Sequence, residues 1–168
     1  MWNRGAVDAD GKTWDGAGIH VEIPKDFFIE KIQVTGHDYD NSEICVGMIF
    51  LPRNDYSAQE NCKTIVESEL TKNDFSIYGW RQVPVNPKIL GEKALQTMPE
   101  ITQVLFKPND LNLLDKNLER KIYETRKKIE NKAFEASLNN FYICSIGSKS
   151  IIYKGLYLAE AISDFYLD

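Results

Sequence analysis

The 168-residue chain has a formal net charge of −5 and is 43% hydrophobic and 27% charged, an ordinary globular composition that can bury one core. Its acidic balance disfavours a nucleic-acid or anionic-membrane partner. We expect no membrane span and no secretion signal, because no apolar run approaches roughly 18 residues and no basic-then-apolar leader pattern is present.

The sequence begins with a glycine-rich stretch that leads into a strand. Residues 17–23 alternate, with Ala17, Ile19, Val21 and Ile23 on one side, and this predicts a strand with one apolar face. His20 falls on the polar face, where a solvated histidine is expected rather than a catalytic one. The proline at position 24 ends this strand and suits the first turn of a short helix over residues 25–33.

A polar loop and a buried strand follow. The loop at residues 35–43 contains His37, Asp38 and Asp40, which could suggest a metal, but a solvated loop is the preferred interpretation. Residues 44–51 are apolar on both faces, which predicts a central strand of a sheet that is covered on both sides. Residues 57–60 match a capping box, with Ser57 as the predicted N-cap of the next helix.

The second half alternates extended and helical patterns. Residues 75–85 are predicted to be an edge strand or a loop crossing, because prolines occur near their end, and residues 101–106 form another strand. The longest helix is predicted over residues 111–138. Its apolar stripe, at spacings of three and four, comprises Leu111, Leu114, Leu118, Ile122, Thr125, Ile129, Ala133 and Ala136.

The outer side of this helix is charged, but its signs are interleaved, which indicates a solvated face rather than one that binds RNA or lipid. Residues 141–146 and 150–156 flank a glycine-containing turn and predict a β-hairpin. A helix over residues 158–165 ends the chain. We find no repeat or linker, and the mixture of strands and helices predicts a single layered α+β domain.

Cysteine and histidine usage argues against a metal site. The chain has two histidines and three widely spaced cysteines, Cys45, Cys62 and Cys144, without a CxxC or HExxH motif. Each cysteine lies within an apolar pattern. We therefore predict buried, reduced thiols in a cytosol-like compartment rather than redox or metal ligands.

The glycine-rich stretch at residues 15–18, close to Arg4, has three possible roles. It lacks the GxGxxG pattern and the lysine of a phosphate loop, and it leads into a strand rather than a helix N-terminus. A plain tight turn would not need a neighbouring arginine. The third possibility is a loop that lines a nucleophile carried elsewhere.

A family resemblance favours the third possibility. Residues 4–6, 9–10 and 15–19 closely resemble the HRGA…AD…TGDGAGI signature of the glutamate synthase family, in its type 2 glutamine amidotransferase domain. Further matches to that family follow in order over essentially the whole chain. They comprise residues 23–28 (IPKDFF), 46–52 (VGMIFLP), 79–85 (GWRQVPV), 90–91 (LG), 119–127 (ERKIYETRK), 141–145 (FYICS) and 152–156 (IYKGL).

The resemblance implies an α+β fold of the N-terminal-nucleophile hydrolase type, an αββα sandwich. It implies hydrolysis of glutamine to glutamate and ammonia by an N-terminal cysteine whose own α-amino group is the base, with an Asn-Gly pair as oxyanion hole. The ammonia would then serve amination of 2-oxoglutarate. For the parent enzyme it implies FMN and an iron–sulfur cluster, with electrons from ferredoxin or from a nicotinamide-dependent subunit, a choice that stays open.

The chain itself is expected to be an incomplete domain over residues 1–168. It starts Met1-Trp2, and its first hydroxyl or thiol is that of Thr13. The resemblance therefore implies that the family's cysteine strand lies upstream and its oxyanion segment downstream. No catalytic residue, cofactor site or metal site is assigned within the chain, and the isolated chain is expected to be inactive and poorly stable because strand edges stay open.

By resemblance, the active-site wall comprises Arg4, Asp15, Gly16, Ala17 and Gly18. Two departures from the family pattern fall next to it, Asn3 in place of histidine and Trp14 in place of glycine. The expected partners are glutamine and the remaining glutamate synthase domains, and the expected location is the cytoplasm or the plastid stroma. The alternative is a non-enzymatic structural or binding protein built on the same half-domain.

Overall fold

The computed structural model describes residues 11–13, 15–110, 112–113 and 115–168. These residues contain both strands and helices, and the predicted α+β class is confirmed. The strands are β1 (Ala17–Glu22), β2 (Cys45–Leu51), β3 (Phe75–Gln82), β4 (Glu100–Pro108), β5 (Tyr142–Gly147) and β6 (Ser150–Gly155). The helices are α1 (Lys25–Val34), α2 (Tyr56–Lys72), α3 (Glu92–Thr97), α4 (Asp115–Glu135) and α5 (Ile162–Phe165).

Backbone contacts divide the chain into two compact units. Among the described residues, the larger unit comprises those of 21–82 and 99–151, and the smaller unit comprises residues 11–13, 15–20, 83–98 and 152–168. The larger unit holds an antiparallel four-stranded sheet in the order β3-β4-β2-β5. The prediction of a central strand at residues 44–51 is confirmed, since β2 is hydrogen-bonded on both edges.

One face of this sheet packs against α2 and α4. Their buried side chains and those of the strands form a continuous apolar core, in which Cys62, Val66 and Leu70 of α2 face Ile122 and Ile129 of α4. The stripe predicted for the long helix is confirmed from Leu118 to Ala133, but Ala136 is exposed and lies beyond Glu135, the last residue of α4, so its place in the stripe was wrong. Its buried members are Leu118, Ile122, Thr125, Ile129 and Ala133.

The opposite face of the sheet is also buried. Val46 and Met48 of β2 and Leu105 of β4 are fully buried there, and so is the polar side chain of Gln103. Helix α1 buries Phe28 and Ile32 and packs against β3. The sheet is therefore covered on both faces, as the two-sided apolar pattern of β2 indicates.

Two helix boundaries differ from the predictions. The N-cap of α2 is Asp55, whose Oδ1 accepts a hydrogen bond from the Ala58 amide at 2.9 Å, so the prediction of Ser57 as the cap was wrong. An aspartate reaches the same first-turn amides and also favours the positive end of the helix dipole. Helix α4 begins at Asp115, four residues after the predicted start; Leu111 and Leu114 lie outside the described residues.

The predicted hairpin at residues 141–156 is also wrong, because β5 and β6 belong to different sheets. Strand β5 pairs with β2, whereas β6 pairs with β1 in a separate two-stranded sheet. The connection is held by other partners. Glu119 of α4 accepts hydrogen bonds from the amide and the hydroxyl of Ser148, at 2.8 and 2.7 Å, and the Lys149 carbonyl accepts one from the Ile23 amide at 3.0 Å.

In the smaller unit, hydrogen bonds join the C-terminal segment to the segment after β3. The Asn86 amide donates to the Phe165 carbonyl at 2.8 Å, and Val85 forms an isolated antiparallel bridge with Tyr166. Tyr166 packs edge-on against Tyr153, and its hydroxyl donates to the Lys154 carbonyl at 2.9 Å. The predicted terminal helix is shorter than expected, because residues 159–161 form a single 3-10 turn before α5.

Candidate functional site

The glycine loop approaches the backbone of β6 closely. A Cβ atom built on Gly18 would lie 2.9 Å from both the Lys154 Cβ and the Tyr153 carbonyl oxygen. Gly16 has a φ of +125°, and a Cβ there would lie 3.4 Å from the Gly155 carbonyl. Glycine is therefore required at position 18 by space and at position 16 by backbone conformation. The absence of a side chain at both positions lets the start of β1 lie close to the end of β6.

Two other predicted wall residues, Asp15 and Ala17, lie beside these glycines and differ in exposure. Ala17 is half-buried as the first residue of β1, and Asp15 is exposed next to it. The apolar face predicted for β1 is incomplete, because Ile19 is 42% exposed. Arg4 and Trp14 lie outside the described residues, so the role of Arg4 stays a prediction.

The three cysteines are buried and none of them forms a disulfide, as predicted. Burial raises the pKa of Cys45 well above its ordinary value and raises the pKa of Cys62 to about 11. Cys144 is the extra residue of a β-bulge between β2 and β5, with 5% of its surface exposed. Since the thiolate is the nucleophilic form of cysteine, neither Cys45 nor Cys62 is suited to attack a substrate at neutral pH.

A polar cluster that sequence reasoning missed joins the loop at residues 35–43 to the sheet. Asp40 forms an ion pair with Lys107 of β4 and accepts a hydrogen bond from the Tyr78 hydroxyl at 2.9 Å. The hydrogen bond from Lys107 holds the pKa of Asp40 well below its ordinary value. Burial, followed by the contact with Asp40, raises the pKa of Tyr78. Both groups thus keep their charge states across the physiological range.

The position of Tyr78 depends on an irregularity in β3. The β3–β4 register shifts between Ile77 and Gly79, which leaves Tyr78 as an extra, bulged residue. Gly79 has a φ of +147° and lies against the side chain of Thr35. A glycine inside an otherwise extended run was the signal in the sequence that could have indicated this bulge.

Residues of the GWR motif (residues 79–81) connect the four-stranded sheet to its neighbouring helices. Trp80 Nε1 donates to Glu67 Oε1 of α2 at 2.7 Å. Arg81 donates through Nη1 to the buried Gln103 Oε1 at 2.6 Å, and its guanidinium carbon lies 5.3 Å from the ring centroid of Phe27 in α1. This motif therefore connects both faces of the sheet to the helices that cover them.

Across the described part of the chain, no group of three or more His, Cys, Asp or Glu side chains is arranged to hold a metal ion. The loop that contains His37, Asp38 and Asp40 instead uses Asp40 in the pair with Lys107. Within the same residues, no helix is both long and apolar enough to cross a membrane.

Comparisons with known proteins give one consistent match. A sequence model of the family described as glutamine amidotransferases class-II matches residues 1–168. The chain is 49% identical to the glutamate synthase [NADPH] large chain of Azospirillum brasilense over 168 residues, which is all of this chain and 11% of that protein. It is 39% identical over 170 residues to ferredoxin-dependent glutamate synthase 1, chloroplastic/mitochondrial, of Arabidopsis thaliana, again all of this chain and 10% of that protein.

A third relative is the chloroplastic ferredoxin-dependent glutamate synthase of Spinacia oleracea, at 36% identity over 171 residues, 100% of this chain and 10% of that protein. The chain thus spans about a tenth of the length of the curated relatives that it matches. The family match agrees with the antiparallel α+β architecture expected of an N-terminal-nucleophile hydrolase-like domain.

Proposed function

The chain belongs to the glutamine amidotransferase class-II family, and on this premise we propose that it forms part of a domain that hydrolyses glutamine to glutamate and ammonia. The observation that carries the proposal is the family match over every residue from 1 to 168. The ammonia would be used to aminate 2-oxoglutarate, the step that gives a glutamate synthase its product. The relatives named as glutamate synthases support this assignment.

The nucleophile of the proposed reaction is not among the cysteines of this chain. Cys45 and Cys62 are buried with raised pKa values, and Cys144 is buried on the edge strand β5. We place the nucleophile on an N-terminal cysteine outside these 168 residues, with its α-amino group as the base. The donors that stabilise the tetrahedral oxyanion would come from a further segment outside the chain.

This chain would contribute one wall of the active site. The glycines at positions 16 and 18 have no side chain that would hold the start of β1 away from the end of β6. The exposed Asp15 carboxylate at the same corner offers an acceptor for the α-amino group of glutamine. The guanidinium of Arg4 would act as a cation toward the substrate carboxylate or the attacking thiolate.

The cofactors expected for a glutamate synthase belong elsewhere in the parent protein. FMN and an iron–sulfur cluster would carry its electron transfer, with ferredoxin or a nicotinamide-dependent subunit as electron source. The cysteines of this chain do not fit a cluster site, because they lie on β2, α2 and β5 without forming a metal-binding group. We place the parent enzyme in the cytoplasm or the plastid stroma.

Ammonia release from glutamine tests the proposal. The purified 168-residue chain should release none, and Cys62→Ala and Cys144→Ala variants should behave identically. A longer protein that joins this chain to the proposed cysteine and oxyanion segments should release ammonia. Release by the isolated chain that is abolished by either cysteine substitution would contradict the assignment of the nucleophile.

The role of Arg4 can be separated from folding in the longer enzyme. We expect Arg4→Gln to reduce glutamine-dependent glutamate formation by at least roughly tenfold, the effect of losing one charge-assisted contact. Formation of glutamate from ammonia added directly should be unchanged, because that route bypasses glutamine hydrolysis. Equal loss of both activities would contradict a role for Arg4 in the glutamine site.

A further inference from the structure

Helix α4 carries two aromatic side chains on its outer surface. Tyr123 is 59% exposed and Phe134 is 84% exposed, in a helix whose opposite stripe is buried. They are eleven residues apart, about 16 Å along the axis, and three turns place them on the same side of the helix. Lys127 and Glu130 lie between them on that side, so four residues form one stripe, called here the outer stripe of α4.

The outer stripe is self-complementary. The midpoint between Tyr123 and Phe134 is also the midpoint between Lys127 and Glu130. A second copy of the helix, related by a two-fold axis through this midpoint, therefore lies antiparallel and places tyrosine opposite phenylalanine. The same rotation places each lysine opposite a glutamate of the other copy. Isologous interfaces require this kind of pairing, in which one patch meets itself.

We propose that the outer stripe of α4 docks against the same stripe of a second copy of this chain. Within one copy, Lys127 Nζ already contacts Glu130 Oε2 at 2.7 Å, and Arg126 Nε contacts Glu130 Oε1 at 2.7 Å. Lys127 Nζ also lies 5.6 Å from the ring centroid of Tyr123. Across the two-fold axis, Lys127 would exchange its contact with Glu130 of its own copy for the same contact with Glu130 of the second copy, while Arg126 keeps its own contact with Glu130. The aromatic pairs at the two ends then supply the apolar burial.

The area of the outer stripe determines how tightly two copies are expected to associate. The four aromatic side chains of the two copies would together bury about 600 Å² at these exposures, well under half of the roughly 1,600 Å² of a standard interface. The association should therefore be weak, with a Kd on the order of 0.1–1 mM. Sedimentation of the full 168-residue chain should show the weight-average mass rising from monomer toward dimer between about 20 µM and about 1 mM.

A first experiment removes the aromatic contacts. The double variant Tyr123→Ser, Phe134→Ser should stay monomeric over the same concentration range. The matched control is Val34→Ser, which removes another apolar side chain of 84% exposure, at the end of α1, and should leave self-association unchanged. Circular dichroism and thermal melting would verify that each variant folds. Self-association of the double variant at the wild-type level would overturn the proposal.

A second experiment tests the two-fold geometry with charge. Lys127→Glu and Glu130→Lys each place like charges opposite one another twice, so each variant should associate roughly tenfold more weakly than wild type. A mixture of the two variants restores both opposite-charge pairs and should associate at least as well as wild type. Added salt at about 0.5 M should remove the difference.

The outcomes of these experiments are decisive. Absence of any increase in weight-average mass up to about 1 mM would overturn the proposal. Association that is the same in wild type and in the aromatic and charge variants would also overturn it, because the contact would then involve a strand edge or another surface. Stronger association of the mixed charge variants than of either variant alone would support an antiparallel, two-fold arrangement of α4. Non-specific aggregation would not depend on which charges lie opposite one another.

Discussion

At the scale of single residues, Gly18 is the clearest case of a side chain excluded by its surroundings. We expect Gly18→Ala to lower the free energy of unfolding by about 1–3 kcal/mol, because the new Cβ would meet the Lys154 Cβ and the Tyr153 carbonyl at 2.9 Å. Urea unfolding monitored by fluorescence would measure the change.

Gly11→Ala is the matched control for this substitution. Gly11 lies in the same loop, has a φ of +66°, and no atom lies within 4 Å of a Cβ built on it. An alanine there should cost about 1–2 kcal/mol through its positive φ alone, with no clash, so this variant measures a backbone effect without a packing effect. If Gly18→Ala were as stable as wild type, close packing of β1 on β6 would not be what requires glycine at position 18.

A buried carboxylate gives a second residue-scale prediction, in pH dependence. Glu69 of α2 has 5% of its side chain exposed and forms an ion pair with Lys132 of α4. The hydrogen bond from Lys132 lowers the pKa of Glu69 below its ordinary value of 4.5. A carboxyl with a lowered folded-state pKa contributes stability above its unfolded pKa, and that stability is lost as pH falls.

We therefore expect the free energy of unfolding to fall as pH drops below about 4.5, and Glu69→Gln to remove part of this dependence. The variant should also be about 1–2 kcal/mol less stable at pH 7, because the charged acceptor is lost. Glu60→Gln, which alters an exposed pair with Lys63 on the same helix, is the control and should change little. A Glu69→Gln variant with an unchanged acid slope would contradict the argument.

At the scale of elements, the start of α2 tests which of two capping residues the helix uses. Asp55→Ala should lower the free energy of unfolding by about 1 kcal/mol, because the Ala58 amide loses its acceptor. The corresponding shift in Tm is about 2–4 °C for a chain of this size. Ser57→Ala should be nearly neutral, since Ser57 is an exposed residue inside the first turn. The reverse ranking of the two variants would restore Ser57 as the cap.

The elements themselves were largely predictable from sequence, because periodicity reports burial directly. The unbroken apolar run of β2 and the spacing of three and four in α4 each indicate which faces are covered, and the structure confirms both. The choice of cap was not predictable in the same way. Asp55 and Ser57 both suit an N-cap, and only the chain path decides which of them faces the free amides.

The pairing of β5 with β2 and of β6 with β1 also could not be predicted from local sequence patterns. Residues 141–156 contain two strands around a short glycine turn, which locally favours a hairpin. The turn instead bonds to Glu119, which lies 29 residues away from Ser148. Long-range partners of this kind leave no periodic trace in the sequence. For the candidate site, the motif resemblance indicated the residues, and the structure adds that Gly16 and Gly18 lie against β6.

At the scale of the whole molecule, the two compact units differ in how their described backbone is held. In the larger unit, β2 and β4 are paired on both edges, and their side chains are almost all buried. In the smaller unit, the described segments outside β1 and β6 include short helices of six and four residues and an isolated bridge between Val85 and Tyr166. Local opening costs less where few backbone hydrogen bonds are shielded from water.

Amide hydrogen exchange should therefore separate the two units. We expect amides of β2 and β4 to exchange at least roughly a hundredfold more slowly than those of residues 83–98 and 159–168, since protection follows the free energy of local opening. Mass spectrometry of peptides over an exchange time course would measure both sets in one sample, with a urea-unfolded sample as the unprotected control. Simultaneous exchange of all these peptides in one cooperative step would contradict the prediction, because it would mean that opening the smaller unit requires unfolding the four-stranded sheet.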